Sequence, residues 1–325
     1  IRASFSGADS IDIILNDHGS AGSPNFYEVI IDDSENTARL DISVSGGDTT
    51  YNIADGLSTN AVHTVEIFKR VESNGGQGQA EFKGFRIPDG AEILPLSPRP
   101  YRMEFIGDSI TCGYGNEISV DDPNGYTYHT INSNAYMSWG AIAARDLSAE
   151  FMAVAYSGRG VFRNYAGGAG TTLPQMYLDI LPDNEASTVW KVSQYIPDVT
   201  VINLGTNDFS PGWNGDISDL VTNYENAMLD FVETLREYYP ATFIILAVGT
   251  MVGDSYPSGY NAKTNILNSL EAIVNTRTAE GDTRLRVLDL GTQSAPYGED
   301  WHPTIQTHMN MAGALADLID SLDLL

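Results

Sequence analysis

The sequence predicts two domains of different class: an all-β domain, a β-sandwich or jelly roll, over residues 1–97, and an α/β/α domain with a parallel sheet over residues 98–325. Three observations carry this. Up to about residue 95 the chain is made of short alternating apolar runs broken by Gly, Asp, Asn and Ser, the pattern of half-buried strands joined by turns. The segment Leu94 to Pro100 then carries Pro95, Pro98 and Pro100, which disfavour both helix and central strand and mark the domain boundary. Beyond it, strand-like and helix-like segments alternate, which implies a parallel sheet covered on both faces with ligand sites at the carboxyl ends of its strands.

In the first domain the strand-like runs are Ile11 to Leu15, Phe26 to Ile31, Ala38 to Val44, Val62 to Phe68 and Ala80 to Ile87. In the second they are Arg102 to Ile106, Phe151 to Ala155, Val199 to Leu204, Phe243 to Val248 and Arg286 to Leu290. Between the latter, Ala135 to Leu147, Leu220 to Glu237 and Ala262 to Thr276 read as amphipathic helices; Leu220, Tyr224, Met228, Phe231 and Leu235 recur at helical spacing. A last helix follows His302 and carries Met311, Leu315, Leu318, Ile319 and Leu322. No internal repeat or low-complexity tract is visible.

Composition narrows the function classes. The 43 acidic against 17 basic residues give a formal charge of -26, which repels phosphate backbones and anionic headgroups, so nucleic acid and membrane surfaces are not expected partners. The acidic residues are scattered, as on a strongly hydrated surface. No apolar stretch approaches the ~20 residues that cross a bilayer. The chain begins without Met or a basic-then-apolar leader, as expected of a segment from inside a longer precursor. Cys112 is the single cysteine, so intrachain disulfides and multi-thiolate zinc sites are excluded.

Three chemistry-bearing blocks directly follow strand-like runs: Gly107-Asp108-Ser109-Ile110, Ser157-Gly158-Arg159-Gly160 and Gly205-Thr206-Asn207-Asp208. A fourth, Glu299-Asp300-Trp301-His302-Pro303, precedes the last helix. Together they bring a hydroxyl, a glycine amide, a side-chain amide and an imidazole to one edge of one sheet. These are the parts for acyl transfer: a serine is a weak nucleophile until an imidazole takes its proton, and the tetrahedral oxyanion needs preorganised donors. Ser109 is the candidate nucleophile and His302 its base, with His308 read as a helix-surface residue. The backbone N–H of Ser109, that of Gly158 (or of Gly160) and the amide of Asn207 are the candidate oxyanion hole. Asp108 and Asp208 are expected to brace their loops. Cys112, near Ser109, reads as a small buried hydrophobe.

The strings GluPheIleGlyAspSerIleThrCysGlyTyrGlyAsn (104–116), SerGlyArgGly (157–160), ValIleAsnLeuGlyThrAsnAspPhe (201–209) and AspTrpHisPro (300–303) resemble those of the SGNH (GDSL) hydrolases, and among them the family-2 carbohydrate esterases. The stretch from His63 to Arg70 and on through Phe82 to Phe85 resembles the first domain of those esterases as well. The resemblance covers most of the chain, in the family's order. It implies an N-terminal jelly roll followed by a flavodoxin-like SGNH domain, and a secreted acetyl xylan esterase-like enzyme that removes O-acetyl groups from plant-wall poly- or oligosaccharides, with no metal or organic cofactor. It also implies Asp300 as the acid of the triad; Glu299 and a backbone carbonyl are the alternatives.

Tyr114, Trp213 and Trp301 are candidate substrate-binding rings, since apolar ring faces suit pyranose C–H groups, with core or loop packing the competing role. Three rival functions stay open at this level. One is a short-chain lipid or thioester hydrolase of the same mechanism; another is an inactive carbohydrate-binding module. The third, a metal-dependent phosphoesterase on Asp108, Asp208, His302 and His308, lacks the dense ligand runs of a two-metal site. The loop from Tyr114 to Asn132, rich in Asp, Asn, Thr and Tyr, favours a polar substrate over a long acyl chain. The oligomeric state is not legible.

Overall fold

The computed structural model of the chain describes all residues except 21, 35, 43–45, 74–78, 119–126 and 183–187. It divides into two compact units, residues 1–98 with 129–136, and residues 99–128 with 137–325.

The first unit is all β. Its strands are β1 (Arg2–Ser6), β2 (Ser10–Asp17), β3 (Phe26–Ile31), β4 (Ala38–Asp41), β5 (Asp48–Asp55), β6 (Val62–Lys69), β7 (Ala80–Arg86) and β8 (Glu92–Leu94). They form antiparallel sheets of order β4-β3-β6-β1-β8 and β5-β2-β7. In β2 every second side chain is buried, so Ile11, Ile13 and Leu15 enter one core with Phe5, Val29, Val65 and Ile67 of the other sheet. That is the sandwich of a jelly roll. The segment 129–136 belongs here because of a buried charge: Arg70 pairs with Glu28 at 3.1 Å, and its Nε donates to the Ser133 carbonyl at 3.2 Å. Asn134 donates to the same Glu28 carboxylate, and the Ala135 N–H to the Arg70 carbonyl. A buried guanidinium needs acceptors, and the segment supplies the Ser133 and Ile131 carbonyls, while Asn134 and Ala135 donate to Glu28 and to the Arg70 backbone. Three strands, β1, β5 and β8, lie outside the apolar runs read from the sequence, and the last residues expected of the third run, 43 and 44, lie outside the described residues.

The second unit is a three-layer α/β/α domain. Its elements, in chain order, are β9 (Tyr101–Gly107), α1 (Ser109–Cys112), α2 (Trp139–Asp146), β10 (Ala149–Ala155), α3 (Leu173–Met176), β11 (Val199–Asn203), α4 (Ile217–Tyr238), β12 (Phe243–Val248), α5 (Ala262–Ala279), β13 (Leu285–Asp289) and α6 (Ile305–Ser321). The sheet is parallel throughout, in the order β10-β9-β11-β12-β13, the flavodoxin-like arrangement. Strands β11 and β12 are buried at every position, as strands covered on both faces must be. One core joins the sheet to α4 and α5 through Leu220, Tyr224, Met228, Phe231 and Leu270; the other joins it to α2 and α6 through Trp139, Ile142, Met311, Leu315 and Ile319. Strands β9, β10 and β11 end at Gly107, Ala155 and Asn203, so the blocks that follow them emerge at one carboxyl edge. Among the described residues no helix is long and apolar enough to cross a membrane.

Candidate active site

Ser109 opens α1 directly after β9. Asp108 caps that turn: one carboxylate oxygen accepts the Ile110 N–H at 3.0 Å, and the other accepts from the Asn207 amide at 3.0 Å. As the first helical residue, Ser109 has a backbone N–H with no acceptor inside its helix. His302 arrives from the far end of the chain. The Glu299 N–H donates to the Gly115 carbonyl at 3.0 Å and the Ile305 N–H to the Asn116 carbonyl at 3.1 Å, which pins the histidine loop to the turn that follows α1. Gly115 sits at φ +52°, and a side chain there would run into Glu299, so glycine is required for this close approach.

The result is a short contact between residues far apart in sequence: His302 Nε2 lies 2.8 Å from Ser109 Oγ. The other ring nitrogen, Nδ1, lies 3.0 Å from the Glu299 carbonyl oxygen. A carbonyl only accepts, so Nδ1 carries the proton and Nε2 is left to accept from the serine hydroxyl. Burial pushes the imidazole down to about 4, against the opposing pull of the Glu299 carbonyl and the Asp300 carboxylate. The imidazole therefore stays neutral below the ordinary histidine range.

Asp300, the acid implied by the family resemblance, is placed otherwise. Its carboxylate accepts the Tyr114 hydroxyl at 2.7 Å, while the acceptor on His302 Nδ1 is the backbone carbonyl of its neighbour Glu299. Asp300 and Trp301 take φ +47° and +61°, left-handed values that non-glycine residues adopt at a cost, and this turn aims the Glu299 carbonyl at the ring. Tyr114 stacks on the His302 imidazole, ring centres 4.2 Å apart, and on Tyr128 at the same spacing. The loop thus holds the His302 imidazole by the Glu299 carbonyl and the face of Tyr114.

On the other side, Gly158 (φ +79°) has an N–H with no acceptor among the described residues, whereas the Gly160 N–H donates to Asn164 Oδ1 at 3.3 Å. The Asn207 amide nitrogen donates both to Asp108 and, at 2.8 Å, to the Arg159 carbonyl. Asp208 is fully buried and accepts the backbone N–H groups of Val161, Phe162 and Arg163. Burial pushes its carboxyl up to about 6, and those three donors hold it back from rising further. The buried Arg163 guanidinium donates in turn to the carbonyls of Asp208, Ser210 and Pro211. The glycine-bearing loop and the Asn207 loop are therefore tied together by a carboxylate running one way and a guanidinium the other.

One placement, that of His308, differs from the sequence reading, and Trp213 shows the loop packing that competed with a substrate role. His308, expected on a helix surface, is fully buried: its Nδ1 accepts the Trp139 N–H at 3.1 Å, and burial pushes it down to about 3. Trp213 packs edge-on against Phe162, its indole N–H on the Asp216 carbonyl and its backbone N–H on the Tyr260 hydroxyl. Trp301, by contrast, is 58% exposed beside His302, and Tyr165, which the sequence did not single out, is 60% exposed with its N–H on the Gly158 carbonyl. With Asp108, Asp208 and His308 engaged in this way, no group of three His, Cys, Asp or Glu among the described residues could hold a metal.

Comparison with known proteins identifies the family. The GDSL-like lipase/acylhydrolase family model matches residues 105–316 and the carbohydrate esterase 2 N-terminal model residues 1–97. The chain is similar to cellulase/esterase CelE of Acetivibrio thermocellus, with 35% identity over 91% of the chain and 34% of that protein. It is also similar to an acetylxylan esterase / glucomannan deacetylase of Cellvibrio japonicus, with 32% identity over 72% of the chain and 61% of that protein. It thus spans about a third of the one relative and three-fifths of the other. A solved family two carbohydrate esterase from Clostridium thermocellum, in complex with cellohexaose, superposes with a TM-score of 0.84 at 30% identity, covering 100% of this chain and 92% of that one. The chain belongs to the GDSL-like lipase/acylhydrolase family, in its family-two carbohydrate esterase branch.

Proposed function

We propose that this protein is a serine esterase that removes O-acetyl groups from carbohydrates through an acyl-enzyme, and that it acts outside the cell. The observation that carries the reading is the 2.8 Å contact of Ser109 Oγ with a neutral His302 Nε2 whose far nitrogen is already committed as a donor. His302 takes the hydroxyl proton as Ser109 Oγ bonds to the acetyl carbon. The oxyanion faces the N–H groups of Ser109 and Gly158 and the Asn207 amide. The carbonyl re-forms, the C–O bond to the sugar breaks, and His302 gives its proton to the departing sugar oxygen. Water then attacks the acetyl-serine with His302 as base, releasing acetate and restoring Ser109.

The sugar substrate is supported by the relatives' described activities and by the exposed rings of Trp301 and Tyr165 near the site. Part of the polar loop expected to meet the sugar, residues 119–126, lies outside the described residues. The test is a chain-length series on aryl esters together with acetylated xylo- and glucomanno-oligosaccharides. A lipid site would gain ~0.8 kcal/mol per buried methylene. The expected result is a steep fall in kcat/KM from acetate to octanoate and acetate release from the oligosaccharides. Rates that hold or rise with chain length, with inert acetylated sugars, would instead make this a lipid or thioester hydrolase.

Asp300→Asn separates the two ways of holding the base. With the Glu299 carbonyl as acceptor, kcat at neutral pH should fall by less than about tenfold; a carboxylate that alone held the imidazole would cost about 10⁴-fold. The pH profile adds an independent sign. Only neutral His302 is reactive, so kcat/KM should stay level as pH falls through 6.5 and drop towards about 4. Asp300 raises the histidine pKa, so its neutralisation should move that acid limb to lower pH. An acid limb that moves up would contradict the assignment.

A further inference from the structure

Ser109 and His302 come from opposite ends of the second unit, and the bond between them requires α1 and the start of α6 to be held in register. We infer that Trp139, with His308 and Thr111 as its two acceptors, is the strut that sets this register, and that His308 is a positioning residue of the active site.

Trp139 is fully buried at the first position of α2, where a backbone N–H has no intrahelical acceptor, and the preceding Ser138 does not cap it. The acceptor comes from another helix: His308 Nδ1, 3.1 Å away, six residues beyond His302 on α6. The indole N–H of the same Trp139 points to Thr111 Oγ1 at 3.4 Å, two residues beyond Ser109 on α1. One side chain and its own backbone therefore join the helix behind the nucleophile to the helix behind the base. The strut has little freedom. The Trp139 ring packs edge-on against Phe105 of β9, Thr111 Oγ1 lies so close to Gly107 that a side chain there could not fit, and α2 packs along α6.

The chemistry of His308 agrees with this role. A backbone N–H only donates, so Nδ1 must be unprotonated and the ring proton sits on Nε2, which is buried and has no partner among the described residues. Keeping an unsatisfied buried donor costs stability, and a packing role alone would be served by an apolar ring. What an apolar ring cannot supply is the acceptor on Nδ1. Burial keeps the ring neutral, so the acceptor does not change as the nearby His302 gains and loses its proton.

This inference rests on the esterase reading, and the test keeps the two apart. The probe is an aryl fluorophosphonate, whose labelling of Ser109 reports the alignment of nucleophile and base without any sugar contact, alongside kcat and KM on an aryl acetate. His308→Leu should remain folded and lose about tenfold to a hundredfold in both labelling rate and kcat, the scale of small misplacements of a reacting group, with KM within about twofold. His308→Asn, whose Oδ1 stands where Nδ1 stood, should return to within about threefold of the parent chain. A folded His308→Leu that labels as fast as the parent, or a His308→Asn as slow as His308→Leu, would overturn the strut. Should His308→Leu not fold, Thr111→Val removes the other acceptor at nearly constant volume: slowed labelling supports the strut and unchanged labelling overturns it. A parent chain that does not label at Ser109 would overturn the esterase reading itself, and the inference with it.

Discussion

Ser109→Ala and His302→Ala are each expected to lower kcat/KM on an acetyl ester by about 10⁴-fold or more, and the double variant to be scarcely worse than either single one. The reason lies in the 2.8 Å contact: in the proposed mechanism the hydroxyl reacts only as its proton passes to His302 Nε2, so removing either atom removes the same step. Both side chains are buried, yet neither variant should unfold the protein. Ser109 opens a helix whose cap is Asp108, and His302 sits in a loop pinned by backbone bonds at Glu299 and Ile305. Circular dichroism and thermal melting of each variant, beside kinetics on an aryl acetate, check the point. A folded Ser109→Ala with substantial turnover would sink the assignment, and effects that add in the double variant would mean that the two residues serve different steps.

The parts of this fold that are plain in the sequence are those where burial writes a period. Helix α4 is an example: Leu220, Tyr224, Met228, Phe231 and Leu235 are spaced for one face, and all five are buried. Strands β11 and β12 are legible for the opposite reason, as continuous apolar runs buried on both faces. Strand β5, Asp48–Asp55, was not legible, because it buries no position fully and only Tyr51 and Ile53 mark its half-buried face among polar neighbours. The segment 129–136 is harder still. Its place in the first unit depends on a buried Arg70 that, besides the Glu28 carboxylate, takes its acceptors from the backbone carbonyls of Ser133 and Ile131, and a carbonyl has no letter of its own in the sequence.

The same limit governs the site. Ser109, Gly158, Asn207 and His302 could be singled out because each is a residue type that the chemistry needs, at the end of a strand or before a helix. The acceptor behind His302 could not be chosen among Asp300, Glu299 and a backbone carbonyl, because that choice is made by two left-handed residues, Asp300 and Trp301, neither of them glycine. His308 was misjudged for a related reason. On a helical wheel it is one polar residue among Gln306, Thr307 and Asn310, and only the arrival of α2 against α6 turns its face inward.

Asn207→Ala is expected to lower kcat by about 10²–10³-fold with KM nearly unchanged, the signature of a donor used mainly in the transition state. Both N–H groups of its amide are already occupied, one on the Asp108 carboxylate and one on the Arg159 carbonyl. An oxyanion would therefore take the amide in a shared bond, or draw it from one of these neighbours, and Asp108 loses least because it still caps α1 through Ile110. The backbone N–H groups of Ser109 and Gly158 remain in the variant, which is why the loss should stop short of that of Ser109→Ala. Asn207→Asp makes the sharper test. It replaces the donor by a carboxylate that faces Asp108 and the developing oxyanion with like charge, so it should be slower than Asn207→Ala. Affinity for a tetrahedral boronate analogue should fall in the same order. An Asn207→Ala variant within about threefold of the parent in kcat would remove the side-chain amide from the oxyanion hole and leave the two backbone donors to stabilise the transition state alone.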